Sequence, residues 1–178
     1  MNNLIHLGNP LINTAYLTIS ILGKNYRLDI KYKNISKIEL NKLTNKIEII
    51  LPKTYKNIDN TSIINSAIQK MYQTIAEKEI DNAMEIVRYI LKFAPEDYKL
   101  AQIKNACYKC SSDKTIIINP EIVKYNQETI ITTLIQAFCR NQFKLNSTKY
   151  KTHLTEGLAK YEDYKNKYNQ MQQKVHIS

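Results

Sequence analysis

Between Thr61 and Phe93 apolar residues recur every three or four positions, a run long enough for about nine turns of helix. Ile64, Ala67, Ile68, Met71, Tyr72, Ile75 and Ala76 form one stripe. Ile80, Ala83, Met84, Val87, Ile90 and Leu91 continue it, with a bend predicted near Glu79 to Asn82, and Pro95 stops it. Whatever this chain folds into is built around that helix. The residues in front of it follow a different period. Tyr26, Leu28, Ile30 and Tyr32 alternate with Arg27, Asp29 and Lys31, and Ile47, Ile49 and Leu51 repeat the period of two before Pro52. Residues 14–51 therefore read as a meander of about four antiparallel strands, with turns at Gly23-Lys24-Asn25 and at Asn34.

Behind the helix the pattern changes again. Two short strands are expected at Lys99 to Cys107 and Thr115 to Asn119, joined by the polar turn Ser111 to Lys114, and helix is expected from Glu121 or Gln127 onward with a break near Asn146. The class is α+β. A length of 178 residues suits one domain spanning 1–178, with a core at about 14–170 and a polar tail at 171–178. No apolar run approaches a membrane span, and the start of the chain, with Pro10 interrupting it, lacks a basic region and cleavage site, so a cytoplasmic protein without membrane contact is expected. The three cysteines agree with a reducing compartment. The net charge of +10 is carried almost wholly by lysine, with arginine only at Arg27, Arg88 and Arg140. Such a bias is weaker evidence for a nucleic-acid partner than the charge itself suggests.

Several segments carry more specific information: Ile21-Leu22-Gly23-Lys24-Asn25-Tyr26-Arg27-Leu28, Met71-Tyr72-Gln73-Thr74-Ile75-Ala76, Cys107-Tyr108-Lys109-Cys110-Ser111, Ile118-Asn119, Asn146-Ser147 with Tyr150, and Glu162-Asp163-Tyr164-Lys165. In order and spacing they resemble the YgjP-like metallopeptidase domain, related to the SprT and Wss-type zinc peptidases, from about Ile21 to Tyr168. The resemblance implies a zincin-like fold: N-terminal sheet, long helix, β-pair, former active-site helix and C-terminal helices. Counted from Asn119, it also implies that the H-E-x-x-H motif falls on Gln136, Ala137 and Arg140, and the third ligand on Asn146. None of these residues suits the chemistry. Gln and Asn are poor zinc ligands, Ala cannot take a proton, and Arg carries a permanent charge with no lone pair to donate. The expected protein is thus a pseudopeptidase without a cofactor.

Two kinds of partner follow. A protein or peptide could lie in the former cleft, at Tyr108, Lys109, Cys110, Ser111, Ser147 and Glu156, or the cleft could mediate self-association. The alternative is a nucleic-acid-associated module, using lysines around the cleft (Lys99, Lys104, Lys109, Lys114, Lys124, Lys144, Lys149, Lys151) or the stripe Lys160, Lys165, Lys167 and Lys174 with Tyr161, Tyr164 and Tyr168 between them. The plain reading of that stripe is tyrosines on the core and lysines in solvent. A third reading keeps a YgjP-type metallopeptidase with an unconventional site. Cys107 and Cys110 form a C-x-x-C that could join Cys139 and His153 around a structural metal, against packed thiols as the plainer reading. His6 and His176 are expected to be exposed, and Ser147 to cap the next helix. Arg140 is expected to pair with a carboxylate, Glu156 first and Glu121 or Glu128 less well placed, or with backbone carbonyls.

Overall fold

Leu22 and Gly23 both take positive φ, 49° and 77°. They form the two-residue turn that joins β1 (Thr18–Ile21) to β2 (Lys24–Lys33), with Ile21 opposite Lys24. A turn of this hand matches the twist of the strands it joins, and glycine supplies one of its positions without strain. The turn is also docked. Leu22 N–H donates to the Val123 carbonyl at 2.7 Å and Gly23 N–H to that of Lys124 at 3.2 Å, so the hairpin tip lies against the approach to the second helix. The structure, a computed structural model, describes residues 17–175, with side chains through residue 172. His6, His176, the first residues of the expected meander and the side chain of Lys174 lie outside the described residues.

The N-terminal sheet is mixed, not an antiparallel meander. Its order is β1-β2-β4-β3, with β3 at Glu39–Lys42 and β4 at Lys46–Pro52. β4 inserts between β2 and β3, parallel to the first and antiparallel to the second. Alternation reports which face a residue takes and not which strand lies beside it, so the pattern could not reveal this order. The inner face carries Ile19, Ile21, Tyr26, Leu28, Ile47, Ile49 and Leu51, all buried. On the other face Glu48 is gripped by Lys31 at 2.5 Å and Lys46 at 2.7 Å, and Lys46 reaches Asp29 at 3.1 Å. Hydrogen bonds from Lys31 and then Lys46 hold the Glu48 carboxyl down to about 2.

The long helix, α1 (Thr61–Leu91), is continuous through Glu79 to Asn82. Ile80 and Ala83 stay buried in phase with the stripe. Lys92 ends it in the left-handed conformation, φ 61°, before Pro95. Tyr72, in the aromatic segment of the sequence, is buried and donates to the Ser20 carbonyl at 3.2 Å, which ties α1 to β1. Burial, followed by the nearby Glu121 charge, pushes its phenol up to about 12.

A second, three-stranded sheet has the order β5-β7-β6, with β5 at Asp97–Leu100, β6 at Tyr108–Cys110 and β7 at Thr115–Ile118. It repeats the topology of the first: the last strand inserts parallel to one neighbour and antiparallel to the other. The single strand expected over Lys99 to Cys107 is therefore two strands and a loop. Asn119 holds that loop, its amide donating to the carbonyls of Ile103 at 2.9 Å and Ala106 at 3.2 Å. Its Oδ1 accepts from Glu121 N–H at 3.1 Å, starting the 3-10 turn Pro120–Lys124. Helix proper begins later, at α2 (Gln127–Gln142), where Asn126 caps by accepting from Thr129 N–H at 2.9 Å. The last helix, α3 (Thr148–Val175), extends through most of the segment expected to be a tail. It crosses the others at Gly157, where a Cβ would meet Leu91 Cδ2 at 2.6 Å and Ile135 Cγ2 at 3.1 Å. Among the described residues no helix is long and apolar enough to cross a membrane.

Candidate functional site

The residues singled out on α2 divide by face. Ile130, Ile131, Leu134, Ile135 and Phe138 point into the core with Ala137 and Cys139, while Gln136 and Arg140, one turn apart, are exposed. Ala137 is fully buried, and its carbonyl lies 3.7 Å from the Cys110 thiol of β6. That contact holds the middle of α2 against the small sheet. After α2 the chain turns through Asn146, exposed and left-handed at φ 63°. Ser147 then caps α3 as expected, its Oγ accepting from Tyr150 N–H at 3.1 Å.

Arg140 lies beside β6 and not beside Glu156. Its guanidinium lies near Tyr108 and Cys110, close enough for its charge to work against the effect of burial on both groups. Among the described residues it forms no ion pair with Glu156, Glu121 or Glu128. Glu156 points to Lys160 at 3.9 Å, Glu128 takes Lys165 at 3.1 Å, and Glu121 is held by Lys124 and Gln69. The expected carboxylate partnership is thus corrected: each acid has a lysine nearer in sequence or on the facing helix. Burial raises the Tyr108 phenol, against which the neighbouring Arg140 guanidinium pulls it down.

A family model for the YgjP-like metallopeptidase domain matches residues 8–132. The chain belongs to that family. No curated protein and no solved structure matches it. The YgjP-like match takes in the first sheet, α1, the second sheet and the start of α2, and closes just before Gln136. The positions that the resemblance assigns to metal chemistry therefore lie beyond the matched stretch.

A YgjP-like fold implies a zinc ion, and the side chains here do not fit one. The two α2 positions offer an amide and a guanidinium, the latter with no lone pair to donate and a permanent charge that repels a dication. Among the described residues no three His, Cys, Asp or Glu side chains converge on one point. Cys107 and Cys110 are half-buried, and Cys139 is fully buried among apolar side chains. His153 lies elsewhere, its ring 4.3 Å from that of Phe143 and 6.1 Å from that of Phe93, with Nδ1 at 2.9 Å from the Lys149 carbonyl. Burial raises all three thiols, Cys139 to about 11. Cys139 should therefore resist iodoacetamide in the folded protein at about pH 8, while all three cysteines react once guanidinium unfolds it. Mass spectrometry of the two digests checks this.

The remaining cleft positions share β6 and its turn. Ser111 is committed to that turn, its hydroxyl donating to the Thr115 carbonyl at 3.0 Å and bonding Asp113. Asn141 on α2 donates to the Lys114 carbonyl at 2.7 Å, clamping the turn to the helix. The β6 ladder leaves one edge open. Asn119 N–H bonds the Cys107 carbonyl and Ser111 N–H the Thr115 carbonyl, so the alternate residues Tyr108 and Cys110 direct their backbone groups away from β7. Two open surface hollows, lined by Arg27 with Leu43 to Lys46 and by Asn34 to Lys37 with Glu39, lie at turns of the first sheet and not at α2.

Proposed function

We propose that this chain is a YgjP-like domain without peptidase chemistry, whose role is to hold an extended polypeptide along the open edge of β6. The observation that carries the reading is the side-chain set at the former metal positions: exposed Gln136 and Arg140, buried Ala137 and exposed Asn146. No metal-bound water can be generated without ligands, and no base replaces the missing Glu. What supports a retained binding role is the unpaired edge, which offers the Tyr108 and Cys110 backbone groups to an added strand. Three free cysteines suit a cytoplasmic setting for it.

The test is metal analysis of the purified full chain together with digestion of an unfolded protein such as reduced casein. No stoichiometric zinc and no cleavage are expected. About one zinc per chain, lost when Gln136 or Asn146 is changed, or cleavage that a chelator stops, would overturn the reading. The binding half has its own variant. Cys110→Pro removes an outward N–H without touching a ladder bond but also removes the thiol contact with Ala137, so Cys110→Ala, which loses that contact alone, is the control: casein binding should fall in the proline variant and persist in the alanine one.

A further inference from the structure

α3 outruns the body of the protein. Every residue from Asn166 to Gln172 is exposed, although Tyr161, one turn earlier, is only 4% exposed. Tyr161 packs as a core residue. Tyr164 is half-buried against the core, whereas Tyr168 is 48% exposed, and the two rings stack at 6.5 Å between centroids with 14° between planes. A third ring extends the row from α1. Tyr89 sits 6.3 Å from Tyr164 and is 64% exposed, off the apolar stripe of its own helix. Tyr89 and Tyr168 thus leave large aromatic surfaces in water on either side of the half-buried Tyr164.

Cations flank them. The Lys92 ammonium lies 4.1 Å over the Tyr89 ring. On α3, Lys160, Tyr164, Lys167, Tyr168 and Met171 share one face by helical spacing. Among the described residues Lys92 and Lys167 form no ion pair, and Lys160 has only Glu156 at 3.9 Å. A second copy of this face would bring like charges together, in a chain that already carries +10. A polyanion with flat faces is complementary on both counts: its charges meet the lysines, and its bases find the exposed rings of Tyr89 and Tyr168 to stack on.

We infer that the Tyr89, Tyr164 and Tyr168 row is a binding surface for single-stranded nucleic acid, with bases stacked on the tyrosines and phosphates on Lys92, Lys160 and Lys167. The surface is separate from α2 and β6, so it stands or falls independently of the polypeptide reading.

The probe is a fluorescein-labelled oligothymidylate of about twenty nucleotides, followed by anisotropy against the full chain across a salt series. Tyr168→Ala and Tyr89→Ala should each weaken binding roughly tenfold, and Tyr168→Phe should restore it. Lys167→Gln should lower the salt slope by about one. Both tyrosines are exposed, so circular dichroism should report an unchanged fold. Three results would overturn the inference: no binding at low salt; binding that responds to the lysine but not to the tyrosine changes; or tyrosine changes that shift sedimentation from dimer to monomer and leave oligothymidylate binding intact.

Discussion

Gly23→Ala is expected to destabilise the protein by about 3 kcal/mol and to lower its melting temperature by about 10 °C. Two costs combine. An alanine at φ 77° pays the left-handed penalty, about 1–2 kcal/mol. Its Cβ would also fall 2.9 Å from Asn126 Cβ and 3.3 Å from Asn126 Cα and N, where backbone has to move. Asn126 is the cap of α2, so the strain reaches the helix that carries Gln136 and Arg140. Gly23→Asn separates the terms. Asparagine tolerates positive φ but keeps the Cβ, so it should fall between glycine and alanine. Thermal denaturation of the two variants decides it, and an unchanged melting temperature in Gly23→Ala would mean that the hairpin tip is not docked.

The second large effect is a gain. Changing Gln136, Arg140 and Asn146 together to histidine should confer about one zinc per chain, with affinity at least about a thousandfold above that of the parent. Gln136 and Arg140 already have the spacing and exposure that two ligands on one helix require, and Asn146 follows after the turn that ends α2. Ala137→Glu is added only in a second step. Position 137 is fully buried, and a carboxylate there has to find a path out of the core. Isothermal titration with zinc, run beside circular dichroism, makes the outcome readable. A folded triple variant that takes up no zinc would show that these positions never formed one site.

Much of this architecture was legible because side-chain periodicity and turn chemistry are local. The α1 stripe, the turn at Gly23, the break at Asn146 and the Ser147 cap each depend on residues within a few positions of one another. Strand order was not legible. The insertion of β4 between β2 and β3, and of β7 between β5 and β6, leaves every residue on the face its alternation predicts. The loop between β5 and β6 was hidden for another reason: it is shaped by the Asn119 amide from the far side of β7. The surroundings of Arg140 were misjudged in the same way. A sequence can count carboxylates within reach, but it does not reveal that Lys160 and Lys165 reach them first.

Tyr89 and Met171 illustrate the opposite case. Their positions were visible as departures from an apolar stripe or as apolar residues in a polar stretch, yet neither means anything until α3 is seen to extend past its neighbours. The signal was present, and the missing information was the length of one helix relative to the body it crosses.

The inserted strand also sets apart cheap and costly loop closures, from which an order of assembly is expected. β1 with β2 and β3 with β4 are hairpins across short connections, the kind that close within about 1–10 μs. The parallel contact between β2 and β4 joins residues much farther apart in the chain, so its loop-closure cost comes later. The first sheet is in effect two preformed ribbons zipped along one seam. Asp29, Lys31, Lys46 and Glu48 straddle that seam. A slip of one residue between the ribbons would turn Ile47, Ile49 and Leu51 toward these charges and break the ladder at the same moment. Apolar burial and the cross-strand ion pairs therefore specify the same register along one seam.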